Sequence, residues 1–485
     1  MRQPILYSFC VKFFLILLIV AFTSISIVGI PTLYEIVDTT SSIVFSIIAV
    51  IFISLILFLL TKSLPKKMYI FILIMIAFGY RLAWIVHIDS EIASDFEVMY
   101  MSAVRAAHGD FGFTSEGIYY IRWAYQLGFT MYQAMILNLF GEGTFYIRLF
   151  NVIYSVGTVI LVYLIGRKLF NEETGRIAGL IYALNIPNIA LSSVLTNQYL
   201  ATFLFYLAFY LLISYFHTNK YIWAIVGLCL GLGDLIRPLG SLVLLAVGFY
   251  LFVANILKKD QIIPTIVKFA GIIVVYFLVH MGTNYLLIKT DVTDYSIKNR
   301  EPLWKFVTGL NHDTTGIFSD EDAAYLAQFE LGEERDEASK ELIKERIDDK
   351  EELLELFKDK FIYMWTAEDG SLIWGFRSDE IDYTESKDIL NMYERFMYFS
   401  MGIFVVIATI TLLLSNNVAP ASSLFFLLII GYMCIHLLIE LQTRYRFFII
   451  PSFVLLQGYG VYILHTLLTK PFQLIRRKGQ LLDTK

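Results

Sequence analysis

The sequence predicts an all-α polytopic membrane protein, and three observations carry that prediction. Of 485 residues, 57% are hydrophobic and only 17% are charged. A soluble domain cannot hide that much apolar surface, because the fraction buried levels off at domain size. The excess sits in runs of Ile, Leu, Val and Phe of about 20 residues, the length that crosses a bilayer core. Charge is also segregated along the chain. Residues 288–396 hold 28 of the 43 acidic but only 14 of the 38 basic residues, a net of about −14 against +9 elsewhere.

Twelve spans are predicted, near 12–30, 42–60, 68–87, 146–166, 176–194, 198–216, 221–236, 239–256, 264–287, 397–415, 421–440 and 446–466. All must be helices, since a backbone in lipid has to satisfy its own hydrogen bonds. The first follows Arg2 and Lys12, and no A-x-A-like cleavage site comes after it, so it reads as a retained anchor. Cys10, Cys229 and Cys434 lie in or beside apolar runs, with no CxxC and no Cys/His cluster, which argues against a zinc site or a disulfide framework.

Orientation follows from the basic residues in the connections. Arg2 and Lys12, Lys62, Lys66 and Lys67, Arg167, Lys168 and Arg176, Lys220, Lys258, Lys259 and Lys268, and the tail from Lys470 onward all fall on one side. The positive-inside bias makes that side, with both termini, cytoplasmic. The chain then divides into two N-terminal helices (1–64), a membrane core (65–287) with an outer loop at 88–145, an extracytoplasmic acidic domain (288–396), C-terminal helices (397–466) and a basic cytoplasmic tail (467–485). In the outer loop, 96–107 has helical spacing, and 127–140 is apolar but too short to span, as expected of a helix lying in the interface. In the acidic domain, 336–361 places Ile343, Ile347, Leu354, Phe357 and Phe361 on one face of a single solvated helix.

Chemistry is expected at the outer ends of the spans. Asp95 and Glu97, just past the third span, could serve as general base and as its orienting or metal-binding neighbour. The competing reading is structural, with Ser94 or Asp95 capping the 96–107 helix and Glu97 favouring its dipole. Arg122, Arg148, Arg237, Arg444 and Arg446 run against the positive-inside bias. Each needs a partner: an anionic lipid phosphate, which guanidinium binds in bidentate fashion, or a carboxylate such as Asp234, Glu142 or Glu440. Two short polar connections, Leu195-Thr196-Asn197-Gln198-Tyr199 and Glu440 to Arg446, frame one outward cavity together with the two interfacial helices. Arg81, inside a span, is expected to pair with a neighbouring helix. With no Gly-rich phosphate loop, a cytosolic nucleotide-sugar or ATP site has nowhere to sit.

From about 70 to 466 the chain resembles the GT-C class of membrane glycosyltransferases. Within it the likeness is to the bacterial branch related to protein O-mannosyltransferases and the lipid A aminoarabinose transferase, glycosyltransferase family 39. Five stretches carry it in order: Ser94-Asp95 with the helix ending at 107–110; Tyr125-Gln126-Leu127 through Gly141, with Arg148 to Asn151; the Gly166 to Phe170 turn; Arg237-Pro238; and Gln442-x-Arg444-Tyr445 with Pro451. Trp304-Lys305-Phe306, Gly309-Leu310-Asn311 and Ser319 to Asp322 resemble the outer domain of Gram-positive members. The resemblance implies a GT-C bundle of about twelve spans, with interfacial helices and a small outer domain. It implies transfer of a sugar, with inversion, from a polyprenyl-phosphate donor to an outer-leaflet glycan, lipid or protein. Asp95 would be the base, with Glu97 beside it. Arg122, Tyr125, Gln126, Arg148, Asn197, Gln198, Arg237, Glu440, Arg444 and Tyr445 would contact substrate. A divalent metal, Mg or Mn, on Asp95 and Glu97 is used by several such enzymes and not by others. Asn197-Gln198 departs from relatives that carry an acidic residue there. Membrane lipids are expected partners and nucleic acid is not. The alternatives are a polysaccharide polymerase or ligase, and a flippase or transporter; against the last, no paired repeat is visible.

Overall fold

A computed structural model describes residues 5–36, 56, 59, 62–258, 261–415 and 418–482, and side chains only as far as 469 at the C-terminal end. The described residues are mainly helical, with no strand among them beyond a single bridge between Trp123 and Asn299. Among the described residues, seven helices are long and apolar enough to cross a membrane: Ile5–Leu33, Lys66–His87, Phe145–Leu169, Gln198–Tyr215, Ile262–Lys289, Thr384–Leu414 and Ile450–Thr469. Three shorter apolar helices, Ile222–Ile236, Gly240–Ile256 and Ser422–Leu438, accompany them. The chain is a multi-pass membrane protein. The predicted span at 42–60 lies outside the described residues, apart from positions 56 and 59.

We label α1 (Ile5–Ile36), α2 (Lys66–His87), α3 (Asp95–Ala107), α4 (Leu127–Phe140), α5 (Phe145–Leu169), α6 (Glu172–Ala183), α7 (Gln198–Tyr215) and α8 (Ile222–Ile236). Then come α9 (Gly240–Leu251), α10 (Ile262–Lys289), α11 (Trp304–Gly309), α12 (Glu333–Asp348), α13 (Lys350–Thr366), α14 (Gly370–Gly375), α15 (Thr384–Leu414), α16 (Ser422–Leu438) and α17 (Ile450–Leu482). Helix α4 packs along α3, so the two helices expected in the first large loop form a layer at one end of the bundle.

Two expectations are corrected. The segment 176–194 is not a continuous span. Helix α6 stops at Ala183, a short turn runs Ile186–Ala190, and a 3-10 turn follows at Leu191–Ser193. Asn185 accepts from the amide of Asn188, and Pro187 contributes no N–H, so capping competes successfully with helix continuation. Buried Arg81 of α2 compensates the break. Its guanidinium donates to the carbonyls of Ala183 (2.9 Å) and Tyr182 (3.3 Å) and to Asn188 Oδ1 (2.7 Å), with Nε on Ser155 (2.6 Å). Arg81 is thus the cross-helix partner that its place in a span suggests.

The second correction concerns 336–361, which is two helices. Asp349 adopts an extended conformation and its carboxylate accepts from the amides of Glu351 and Glu352, starting α13 afresh. The apolar face does not run through the break. Leu354 is 68% exposed, whereas Leu356 and Lys360 are buried.

Arg81→Met should cost about 3 kcal/mol or more, because two carbonyls and Asn188 lose a charged donor where water does not reach. Thermal unfolding of the detergent-solubilised protein reads this out, and an unchanged melting temperature would contradict the assigned role.

Candidate functional site

The site gathers where α3, the 124–126 turn, α11 and the 439–446 loop meet at one end of the bundle. Ser94 precedes α3 with φ 58° and ψ −139°, an uncommon conformation for a residue with a side chain, and its hydroxyl caps nothing. The chain therefore turns sharply into α3, and Asp95 opens the helix at the mouth of the cluster.

Asp95 is exposed to solvent, like Glu97, yet protein crowds its carboxyl on several sides. This burial raises its pKa, while nearby Lys305 and Arg444 draw it down and Glu440 pushes it up. Phe96 packs edge-on against Trp374 of α14 at 5.1 Å between ring centres. The Arg444 guanidinium lies over both rings, at 5.0 and 4.8 Å.

Behind Asp95 runs a chain of charged and amide groups. Arg444 Nε donates to Gln442 Oε1 (2.7 Å), and Gln442 Nε2 donates to Glu440 Oε1 (2.8 Å). The other oxygen of Glu440 pairs with Lys305 Nζ. Burial alone would raise the Glu440 carboxyl; Lys305 and Gln442 hold it below the usual range instead. Burial likewise works against the Lys305 charge, but Tyr445 and Glu440 overcome it and raise its pKa.

Lys305 reaches this position because α11 is pressed onto the 438–441 loop. The Glu440 amide donates to Lys305 O (2.7 Å) and the Leu441 amide to Gly316 O (2.8 Å). A Cβ at Gly309 would stand 2.2 Å from the carbonyl carbon of Ile439, so only glycine permits the approach.

The Tyr445 ring is the hub. Arg237 lies 5.0 Å from its centre, and Lys305 and Arg444 each lie 5.9 Å away. Arg237 donates to Asn197 Oδ1 (2.9 Å). Its turn is fixed by Asp234, which accepts from Gly240 N and Tyr276 OH, both at 2.5 Å. Arg237 Nε and Arg444 Nη1 are buried and have no hydrogen-bond partner in the protein. Buried donors left open in this way, on two guanidiniums around one ring, form a receptor for an anion.

Tyr125 faces the same group, beside Lys305, Tyr445 and Asp95, its phenol pushed up to about 12 by burial. Gln126 meets Tyr119, itself a neighbour of Asp95. Gln198 is buried at the start of α7 with its Oε1 unpartnered.

Four of the residues singled out by sequence lie elsewhere, Arg446 among them, paired with Asp369 (3.5 Å) and donating to Ala367 O (2.8 Å). Arg148 donates to Asp89 Oδ1 (2.8 Å) and Ser90 O (2.7 Å). Arg122 is bonded to Glu301 at 2.5 Å. Glu97 is exposed and lies two positions beyond Asp95 on one helix, about 200° around the axis. Asp95 and Glu97 therefore do not face a common point, and Asp95 already has two cations beside it. Among the described residues no three His, Cys, Asp or Glu side chains gather. These residues do not fit a divalent ion.

Residues 127–282 match the family of dolichyl-phosphate-mannose-protein mannosyltransferases. The archaeal oligosaccharyltransferase AglB from Archaeoglobus fulgidus, solved with an inhibitory peptide and a dolichol-phosphate, aligns with a TM-score of 0.50 at 12% identity. The alignment covers 86% of this chain and 52% of AglB. The chain has a GT-C fold. It spans about half the length of AglB. ArnT from Cupriavidus metallidurans, bound to undecaprenyl phosphate, aligns with a TM-score of 0.35 at 11% identity over 82% of this chain and 78% of that one. No curated protein matches the sequence.

Within this GT-C fold, Lys305 and Gln442 are the residues that sequence reasoning missed as parts of the site. Gln442 was visible as a motif letter and as one member of the polar connection from Glu440 to Arg446. Lys305 carried two signals, its place in the Trp304-Lys305-Phe306 stretch and its being the only Lys or Arg between Arg300 and Arg335 in an otherwise acidic stretch.

Lys305→Met should weaken the pH dependence of stability that Glu440 contributes. In the native protein the lowered pKa stabilises the fold above the unfolded value and is lost on acidification. Without Lys305 the carboxyl loses the largest influence that opposes its burial, with Gln442 and Arg444 left to hold it down, so less stability is lost on acidification. Melting temperatures between about pH 4 and pH 8 test this; parallel curves for the two proteins would contradict it.

Proposed function

We propose that the chain is a membrane glycosyltransferase that moves a sugar from a polyprenyl-phosphate donor to a hydroxyl acceptor, a glycan, lipid or protein, at the outer face of the membrane. One observation carries the reading: Arg237 and Arg444 hold open donors around Tyr445, next to the Asp95 carboxylate at the mouth of the cluster. The GT-C fold supports it, as does the dolichol-phosphate held by AglB.

In this reaction the acceptor oxygen attacks the anomeric carbon on the face opposite the phosphate, with inversion. The carbon–oxygen bond to the phosphate breaks, and its electron pair stays on the leaving lipid phosphate. Asp95 takes the acceptor proton. Negative charge grows on the phosphate as the bond breaks, and Arg237 and Arg444 are already aimed at it, so little reorganisation is needed. Lys305 adds a third cation while keeping Glu440 compensated. Tyr125, Gln126, Asn197 and Gln198 offer hydroxyl and amide groups to the sugar. The basic residues of the connecting loops support cytoplasmic termini and an outward-facing site.

Asp95→Asn should lower transfer by about a hundredfold or more, while expression and membrane insertion stay intact. Mass spectrometry of surface polymers and lipids from a deletion strain complemented with either form reads this out. The acid limb of native activity should lie above the ordinary aspartate range, because Asp95 must be ionised to act and its pKa is raised. Full complementation by the Asn form would remove the assigned base.

Orientation has its own test. A cysteine at exposed Leu354, in a chain stripped of its three native cysteines, should react with a membrane-impermeant maleimide on intact cells. Labelling that requires permeabilisation would place the acidic domain inside and remove lipid-linked donors from consideration.

A further inference from the structure

Arg122, expected from sequence to contact substrate, is instead part of a buried group of three. Glu301 is 3% exposed and bonds two guanidiniums: Arg122 Nε at 2.5 Å and Arg335 Nη1 at 2.9 Å. The Arg122 guanidinium also lies over the rings of Trp123 (4.6 Å) and Trp304 (5.4 Å). Main-chain contacts reinforce the junction, with Arg300 N donating to Arg122 O (3.3 Å) and Trp123 bridging to Asn299.

Both ends of this group lead into the site. Arg122 precedes Tyr125 by three residues, and the Trp304 amide bonds Glu301 O (3.2 Å), which starts the helix that carries Lys305. Tyr125 and Lys305 are electrostatic neighbours of each other and of Asp95. The two segments that deliver them are thus fastened together by one carboxylate between two arginines. An ion pair this buried is costly to break, because the partner left behind is an uncompensated charge.

We infer that Arg122, Glu301 and Arg335 form a bracket that sets where Lys305 stands relative to Tyr125, and that through Lys305 they govern affinity for the lipid phosphate. The inference rests on the donor reading above. Arg122 and Glu301 are positioning residues here and touch no substrate.

The test is a double-mutant cycle on the full chain in detergent, titrated with undecaprenyl phosphate. Lys305→Gln should weaken binding about tenfold, and Arg122→Gln and Glu301→Gln should each do nearly as much. Combining Arg122→Gln with Lys305→Gln should cost no more than Lys305→Gln alone. A purely structural role would lower melting temperature and leave affinity unchanged, which overturns the inference. Costs that multiply would also overturn it, since they mean that Arg122 touches the lipid directly. Should Glu301→Gln fail to fold, Arg122→Gln decides the matter, because it leaves Glu301 paired with Arg335. If undecaprenyl phosphate does not bind the native protein, or binds Lys305→Gln equally well, the donor reading itself fails and the bracket falls with it.

Discussion

Glu440 is a carboxylate 3% exposed at the end of a helical bundle, and the groups around it are placed where they compensate that charge. An unpaired carboxylate in such surroundings costs several kcal/mol. Lys305 supplies the counter-charge from a segment 135 residues away in sequence, and Gln442 supplies a hydrogen bond and passes the polarity on to Arg444. The acidic segment is therefore bound into the bundle by the same pair that arms the anion receptor. Remove Lys305 and two things change together: the domain loses its anchor and Asp95 loses one of the cations that favour its ionised form.

The receptor has more cations than the protein itself neutralises. Lys305 answers Glu440 and Arg444 lies near Asp95, while Arg237 leans on a neutral amide, so three cations meet two carboxylates. The excess positive charge is held by aromatic faces, Tyr445 above all, which tolerate it without cancelling it. A group that carries negative charge only briefly, as a departing phosphate does, meets a field already in place. That is a different arrangement from an ion pair, in which the partner is always present and the field is spent on it.

Much of this was legible in the sequence, and the exceptions share a cause. Span lengths, the short helices after the third span, and the unusual arginines all follow from local composition, which is where hydrophobic periodicity and charge bias speak. Arg81 could be read as a cross-helix partner because a guanidinium in lipid has few other options. What periodicity could not see was competition between local alternatives, as at Asn185 and Asp349, where a side chain captures an amide and ends a helix that hydropathy would continue. Nor could it see which distant carboxylate each arginine meets. Arg148 bonds Asp89 and Arg122 bonds Glu301, although both looked as available as Arg237 and Arg444. Pairings of that kind depend on how segments are brought together, and no short motif encodes them.

The interruption after Ala183 shows what a defect in a transmembrane segment can achieve. Wound as helix, the fourteen residues from 184 to 197 would carry the chain about 21 Å further along its axis. They are folded into turns instead, against Ser90, Trp84 and the glycine-ended helix at 370–375, and Asn197 emerges within reach of Arg237. Arg81 makes this detour affordable by feeding hydrogens to the stranded carbonyls. A replacement that healed the break would straighten the segment and carry Asn197 off its guanidinium partner, so the imperfection is itself a component of the binding pocket.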